Sequence, residues 1–263
     1  CGPMDTAAIL ELIKETAEKV INPRFRALEQ ADVESKTSPD DLVTIADREA
    51  EVLLASELRR IYPDALVIGE EAVFANPGLR RELPSAEHAL VIDPIDGTRN
   101  FVEGRPEHGV MLAETRSGIT TRGWIWQPRT GRGYVAEKGA GVRLNDEPVV
   151  PQKHDRSPLG ASSKKHVQGF TGSGELSPVV RSLFACAFDY PRVLHGELDF
   201  IHYTKVMPWD HLAGSLMVVE NGGVSRTMDG VDYVAASEAS GLLVARDPAV
   251  WETAHRCLAG MFN

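Results

Sequence analysis

Cysteine is scarce in this chain: three in 263 residues, Cys1, Cys186 and Cys257, with no Cys-x-x-Cys pair. That excludes a disulfide framework and a thiolate zinc site, and it fits a reducing, cytoplasmic compartment. Long apolar runs are missing as well. The longest are under ten residues, far short of the roughly 20 that a membrane helix requires. Basic charge is in deficit, with 28 Lys plus Arg against 38 Asp plus Glu and a formal net charge of −10. Nucleic acid and anionic membranes, which are gripped by basic patches, are therefore not expected partners. There is no internal repeat, low-complexity tract or long linker, and no targeting segment is expected. Cys1, Gly2 and Pro3 precede Met4, which reads as the native start, so the first three residues read as a remnant of expression.

What is present is a soluble globular composition, 43% hydrophobic and 25% charged. A chain of 28.7 kDa buries roughly 70% of its unfolded surface and needs no metal to hold its core, so a metal here would serve chemistry. Apolar residues Ile9, Leu12, Ile13, Ala17, Val20 and Ile21 recur at helical spacing, predicting an amphipathic helix from Asp5 to about Ala31. Residues 33–43 lack such periodicity and read as a mobile loop. A second helix is expected from Thr44 to Ile61, with Asp47 in its first turn and Pro63 beyond its end. Strands are expected at 65–68 and 89–92, then an antiparallel meander at 109–115, 119–127 and 133–138, in which Trp124 and Trp126 serve sheet packing. The second half restarts at LGASS, with a helical stretch around 176–187, a strand at 198–203, a helix at 208–221, a strand at 241–245 and a helix from Pro248. Two closely packed lobes are expected, 4–152 (α+β) and 153–263 (α/β), with most metal ligands on the first.

Acidic clusters stand where these elements begin or end: IGEE (68–71), DPIDGT (93–98) and PWDHLAG (208–214). Alone, GEE after a strand is a solvated turn, and WD before a helix is an N-cap. DPIDGT says more. An apolar strand delivers Asp93, Pro94 forces a turn, and Asp96 follows three residues later. Two carboxylates held this close repel each other unless a cation lies between them. Oxygen-only ligands suit a hard divalent ion, Mg²⁺ before Mn²⁺ or Ca²⁺. The Gly97 and Thr98 amides are then placed to cradle a phosphate oxygen at a helix start. The eight His show no paired metal spacing, and His211 reads as a surface or supporting group. GSGE (172–175) lacks the Lys of a nucleotide loop and reads as a turn.

The ordered set DLVTIAD (41–47), IGEE (68–71), DPIDGTRNF (93–101) and PWDHLAGSLMVVENGG (208–223) resembles the inositol monophosphatase family of lithium-sensitive, magnesium-dependent sugar phosphatases. The resemblance covers most of the chain. It implies a five-layered αβαβα sandwich, usually a homodimer, that hydrolyses a small phosphorylated metabolite with two or three Mg²⁺ ions. It also implies that Glu70, Asp93 and the Ile95 carbonyl hold one ion, that Asp93, Asp96 and Asp210 hold another, and that Glu70 touches a third through water. Thr98, hydrogen-bonded to Asp47, would orient and deprotonate the attacking water with help from Glu70. Lys36 would lie in the loop beside the phosphate.

The alcohol end departs from the family. Tyr203 stands where inositol-preferring members carry Glu, and RSLFACA places Phe184 where Gly is expected. A ring replacing a hydrogen must fill space or push the chain aside. Tyr203 and Lys205 are expected to face the non-phosphate end of the substrate, where Lys205 would meet a second anionic group. Ser162 and Ser163 are expected to border the ligand. The same chemistry on histidinol phosphate, fructose 1,6-bisphosphate or a nucleoside 3′,5′-bisphosphate remains open. So does a regulatory binding protein on the same fold, since bacterial relatives associate with the transcription machinery.

Overall fold

The computed structural model describes residues 4–262; Cys1, Gly2 and Pro3, read above as an expression remnant, lie outside the described residues. Helix α1 (Thr6–Thr16) starts at Asp5, whose carboxylate accepts the Ala8 N–H at 3.0 Å, and buries Ile9, Leu10 and Ile13. It runs into a π-helical turn at Ala17–Ile21 and a 3₁₀ turn at Asn22–Arg24. The expected extension to Ala31 does not form, because Pro23 offers no N–H to continue the ladder. The expected loop at 33–43 is also more ordered than its composition suggests: β1 (Val33–Ser35) and β2 (Leu42–Thr44) pair antiparallel, leaving 36–41 as the connection.

Helix α2 (Ile45–Ile61) has a reciprocal cap. The Thr44 hydroxyl accepts the Ala46 and Asp47 N–H groups, and Asp47 accepts the Thr44 N–H. A capping box of this kind satisfies backbone donors that a helix start leaves open. Next come β3 (Leu66–Gly69), α3 (Glu70–Ala75), β4 (Ala89–Asp96) and α4 (Thr98–Val102). The meander follows as β5 (Gly109–Arg116), β6 (Ile119–Gln127), β7 (Arg132–Glu137), β8 (Gly141–Leu144) and β9 (Glu147–Pro148). These strands form one seven-stranded sheet in sequence order, antiparallel apart from the β3–β4 pair. Trp124 is fully buried and its indole N–H reaches the Thr6 carbonyl at 3.0 Å, tying α1 to the sheet.

The remaining elements are β10 (Gly160–Ser162), β11 (Val180–Arg181), α5 (Cys186–Leu194), β12 (Phe200–Tyr203), α6 (Pro208–Glu220), β13 (Val224–Thr227), β14 (Leu242–Ala245) and α7 (Pro248–Phe262). A five-stranded sheet runs β11-β10-β12-β14-β13. The α1 and α2 helices pack on the outer face of the large sheet, α5 and α6 fill the space between the sheets, and α7 covers the small sheet. That stack is the αβαβα sandwich.

The helix expected around 176–187 forms later, at Cys186–Leu194. Residues 180–185 form a short strand and a turn, tied to Asp189 by hydrogen bonds from the Ser182 hydroxyl and the Leu183 amide. Pro191 sits inside α5 and gives no N–H to the Ala187 carbonyl one turn back. Gln127, on β6, donates its side-chain amide to that carbonyl at 2.7 Å. A residue from the large sheet thus repairs a gap in a helix between the sheets. Gln127→Leu leaves the Ala187 carbonyl buried and unpaired and is expected to cost about 1–3 kcal/mol. Urea unfolding of the variant checks this, and a loss below about 0.5 kcal/mol contradicts it.

Candidate active site

A cavity of about 500 Å³ opens where β4, α3, α5 and α6 converge. Asp93 and Asp96 reach it from the two sides of an irregularity in β4: Asp93 pairs with Met111 and Asp96 with Gly109, while Pro94 and Ile95 bulge out between them. Asp210 arrives from the first turn of α6, just after Pro208. One oxygen of each of these three carboxylates lies within 4.8 Å of the others. Burial, then the neighbouring negative charges, push Asp93 and Asp96 far above the usual carboxylate range. One oxygen of Asp93, Oδ1, is buried with no hydrogen-bond partner among the described residues. An orphaned buried carboxylate in a like-charged cluster fits a hard divalent cation, because only positive charge offsets both burial and repulsion. His and Cys are absent from this group among the described residues, in keeping with oxygen chemistry.

Glu70 lies on the same cavity wall, outside the tight trio. Burial and the Asp210 charge push it up to about 8. The backbone just after it is held by a residue that the sequence reading missed. Glu51, on α2, is buried and accepts the Glu71 N–H at 2.8 Å and the Ala72 N–H at 2.7 Å. The carboxylate fits because Gly69 has no side chain; a Cβ there would come within 2.3 Å of the Glu51 carboxylate. The signal was present, since a Glu four residues after Asp47 on a helix face otherwise buried had no apolar explanation.

Thr98 donates either to Asp47, at 2.8 Å, or to the Ile95 carbonyl, at 3.0 Å; its single hydroxyl hydrogen serves one at a time. Burial pushes Asp47 up to about 6 despite the hydrogen bonds from Thr44 and Thr98. Gly97 turns the chain in the left-handed region, φ +83°, and a Cβ would come within 2.7 Å of the Glu107 carbonyl, so only glycine fits between Asp96 and Thr98. Asp96 also accepts the Ala187 N–H from the first turn of α5, at 2.7 Å.

Lys36 is not brought onto the cavity wall. Its ammonium lies 3.2 Å from Glu71 and 3.8 Å from Glu70, over the Phe74 ring. Burial lowers its pKa, but the Glu70 and Glu71 charges outweigh that and leave it raised. Phe184, Tyr203 and Lys205 also line the cavity. Phe184 has φ +56° and is 45% exposed, so the ring points outward on a backbone that suits glycine. A β-carbon in that region costs roughly 1–2 kcal/mol. Tyr203 is buried, packed 4.6 Å from the His211 ring, with its hydroxyl beside the Cys186 thiol. His211 is fully enclosed, between the Tyr190 hydroxyl and the Lys205 carbonyl, which makes it a supporting group and not a surface one. The two serines part at the end of β10: Ser163 lines the cavity, whereas Ser162, the last strand residue, turns inward to His202.

The profile of the inositol monophosphatase family matches residues 4–260. The chain belongs to that family. It is 31% identical over 212 residues to a fructose-1,6-bisphosphatase/inositol-1-monophosphatase of Thermotoga maritima, covering 78% of this chain and 79% of that protein. It is 29% identical over 260 residues to the Nus factor SuhB of Vibrio cholerae, covering 91% of each. A solved IMPase from Thermotoga maritima superposes with a TM-score of 0.79 at 25% identity, covering 98% of this chain and 99% of that one. Within this family, the chain is a phosphoric monoester hydrolase.

Asp47, Glu70, Asp93 and Asp96 hold their protons more tightly folded than unfolded. The metal-free protein therefore loses stability as pH rises from the unfolded carboxylate range near roughly 4 through the folded values of Asp47 and Glu70. Calorimetric melting is expected to show Tm falling between about pH 5 and pH 8 without metal, and a larger rise on adding MgCl₂ at about pH 8 than at about pH 6. A metal-free Tm that climbs over that interval contradicts the assignment.

Proposed function

We propose that the protein is a Mg²⁺-dependent phosphomonoesterase acting on a small polyol or sugar phosphate. The observation that carries this is the orphaned oxygen of Asp93 inside the buried trio with Asp96 and Asp210. Glu70, Asp93, Asp96, Asp210 and the Ile95 carbonyl are the groups assigned to hold two or three Mg²⁺ ions. When bound, the metal supplies Lewis-acid stabilisation of charge on phosphate oxygens and lowers the pKa of water. The chain supplies the rest. Asp47 holds the Thr98 hydroxyl in place, so that Thr98 orients the attacking water and passes its proton towards the Asp47 and Glu70 carboxylates. Gly97 and Thr98 present backbone amides to the phosphate. Lys36, paired with Glu70 and Glu71, sits beside the phosphate end of the site. Phe184, Tyr203 and Lys205 face the alcohol portion. A cytoplasmic homodimer is the form assigned to the enzyme; no described helix is long and apolar enough to cross a membrane.

The name of the Vibrio cholerae relative favours a second reading, a regulatory binding role on this fold. Enzyme and regulator separate on one comparison: a partner captured equally by wild type and Asp93→Asn, in a protein that releases no phosphate, supports the regulator.

Asp93→Asn removes the central negative charge and is expected to lower kcat/KM at least about a thousandfold, a loss of roughly 4 kcal/mol of transition-state stabilisation. Phosphate release measured on inositol 1-phosphate checks this, and near-normal turnover refutes the site. Thr98→Ala is expected to keep Mg²⁺ binding within about threefold by calorimetry while reducing kcat about a hundredfold or more. An effect confined to KM contradicts the role given to Thr98.

A further inference from the structure

Helix α3 begins without a cap of its own. Its N-cap is Gly69, in the extended conformation usual there (φ −146°, ψ 173°) but with no side chain to accept the free N–H groups of the first turn. Those groups belong to Glu71 and Ala72, the second and third residues of the helix, and they donate one to each oxygen of the Glu51 carboxylate. Glu51 thus caps α3 from another helix. It does so in the space that an N-cap side chain would fill, since a Cβ on Gly69 would meet Glu51 Oε1 at 2.3 Å. A serine at 69 would satisfy the same kind of donor from within the segment and would bury no charge. What the glycine and the buried glutamate provide together, and a serine would not, is a tie between α3 and α2.

Glu70 lies between two anchors. On one side Gly69 pairs with Ile92 in the parallel β3–β4 ladder, so the residues that follow, Glu70 and Asp93, come side by side. On the other, the Glu51 carboxylate holds the next two amides. We propose that Glu51 is a positioning residue, which by gripping the Glu71 and Ala72 amides fixes the Glu70 carboxylate for the Mg²⁺ ion assigned to Glu70 and Asp93. The inference rests on the phosphomonoesterase reading and adds to its machinery a residue that does not itself line the cavity. A carboxylate suits the task because it offers acceptors alone. Glutamine would turn an NH₂ towards one of the two amides, and a donor cannot meet a donor. The trio of Asp93, Asp96 and Asp210 is carried by β4 and α6 and takes no support from Glu51, so only the ion that needs Glu70 depends on it.

The test reads Mg²⁺ binding by calorimetry alongside phosphate release from inositol 1-phosphate. Glu51→Gln is expected to weaken one class of Mg²⁺ binding about tenfold while the other stays within about threefold of wild type. The Mg²⁺ concentration for half-maximal release is expected to rise about tenfold as well, with the substrate KM unchanged. In a Glu70→Gln background the same substitution is expected to alter Mg²⁺ binding less than about twofold, because its effect passes through Glu70. Gly69→Ala keeps Glu51 but displaces its carboxylate, and is expected to reproduce the loss. Glu51→Ala combined with Gly69→Ser separates positioning from capping, and decides the matter even where Glu51→Gln alone folds poorly. Its serine caps the helix in place, so Tm is expected to return to within about 1 °C of wild type after a fall of about 2–4 °C in Glu51→Ala, while Mg²⁺ binding stays weak. Recovery of both reduces Glu51 to a cap and overturns the proposal. So does a Glu51→Gln effect that persists undiminished without Glu70, or Mg²⁺ binding that Glu51→Gln leaves within about twofold of wild type. No phosphate release from any of these proteins, wild type included, with the calorimetric pattern as expected, overturns the hydrolytic reading and keeps Glu51 as the residue that positions Glu70 for metal.

Discussion

Mutual repulsion among buried carboxylates is the constraint around which this molecule is arranged. Asp93, Asp96 and Asp210 come from a strand edge and a helix start on different parts of the chain, and left alone they would drive those elements apart. The fold opposes this with backbone geometry: the bulge of β4 fixes two of them, Pro208 starts the helix that fixes the third, and Ala187 gives Asp96 a hydrogen bond. Four acids, Glu70, Asp93, Asp96 and Asp210, line the cleft, and a fifth, Asp47, lies behind Thr98. Two or three divalent ions would bring that local charge to between about −1 and +1. An acidic protein therefore meets phosphate through cations held at one point, and not across its surface.

The fold was legible where one period ran long enough to be unambiguous. The α2 helix, the β5–β7 meander and α6 lie close to where hydrophobic spacing puts them. Failures came where long-range contacts decide. The helical run that opens the chain ends in the turn that holds Pro23, and residues 33–35 pair with the short Leu-Val-Thr segment at 42–44 although each is only three residues long. The α5 helix begins late because Asp189, in its first turn, shapes the segment before it. No local pattern announces a helix whose internal proline is compensated by Gln127 from another sheet.

The site divides in the same manner. Carboxylates at strand and helix ends can be read from sequence, because a charge there needs a reason. Glu51 is hidden by its ordinary position inside a helix, and no local pattern shows that Lys36 pairs with Glu70 and Glu71. Phe184 was recognised as anomalous, but only its positive φ explains why glycine would be the easier residue there.

Asp47 and Glu51 occupy successive turns of a single helix, one carboxylate gripping the hydroxyl of Thr98 and the other gripping the amides that follow Glu70. Their spacing along the axis is that of four helical residues, about 6 Å. The α2 helix consequently works as a ruler. Two loops that are distant in sequence take their separation from a covalently continuous rod, so thermal sliding of the helix carries both grips together and leaves the interval between them unchanged.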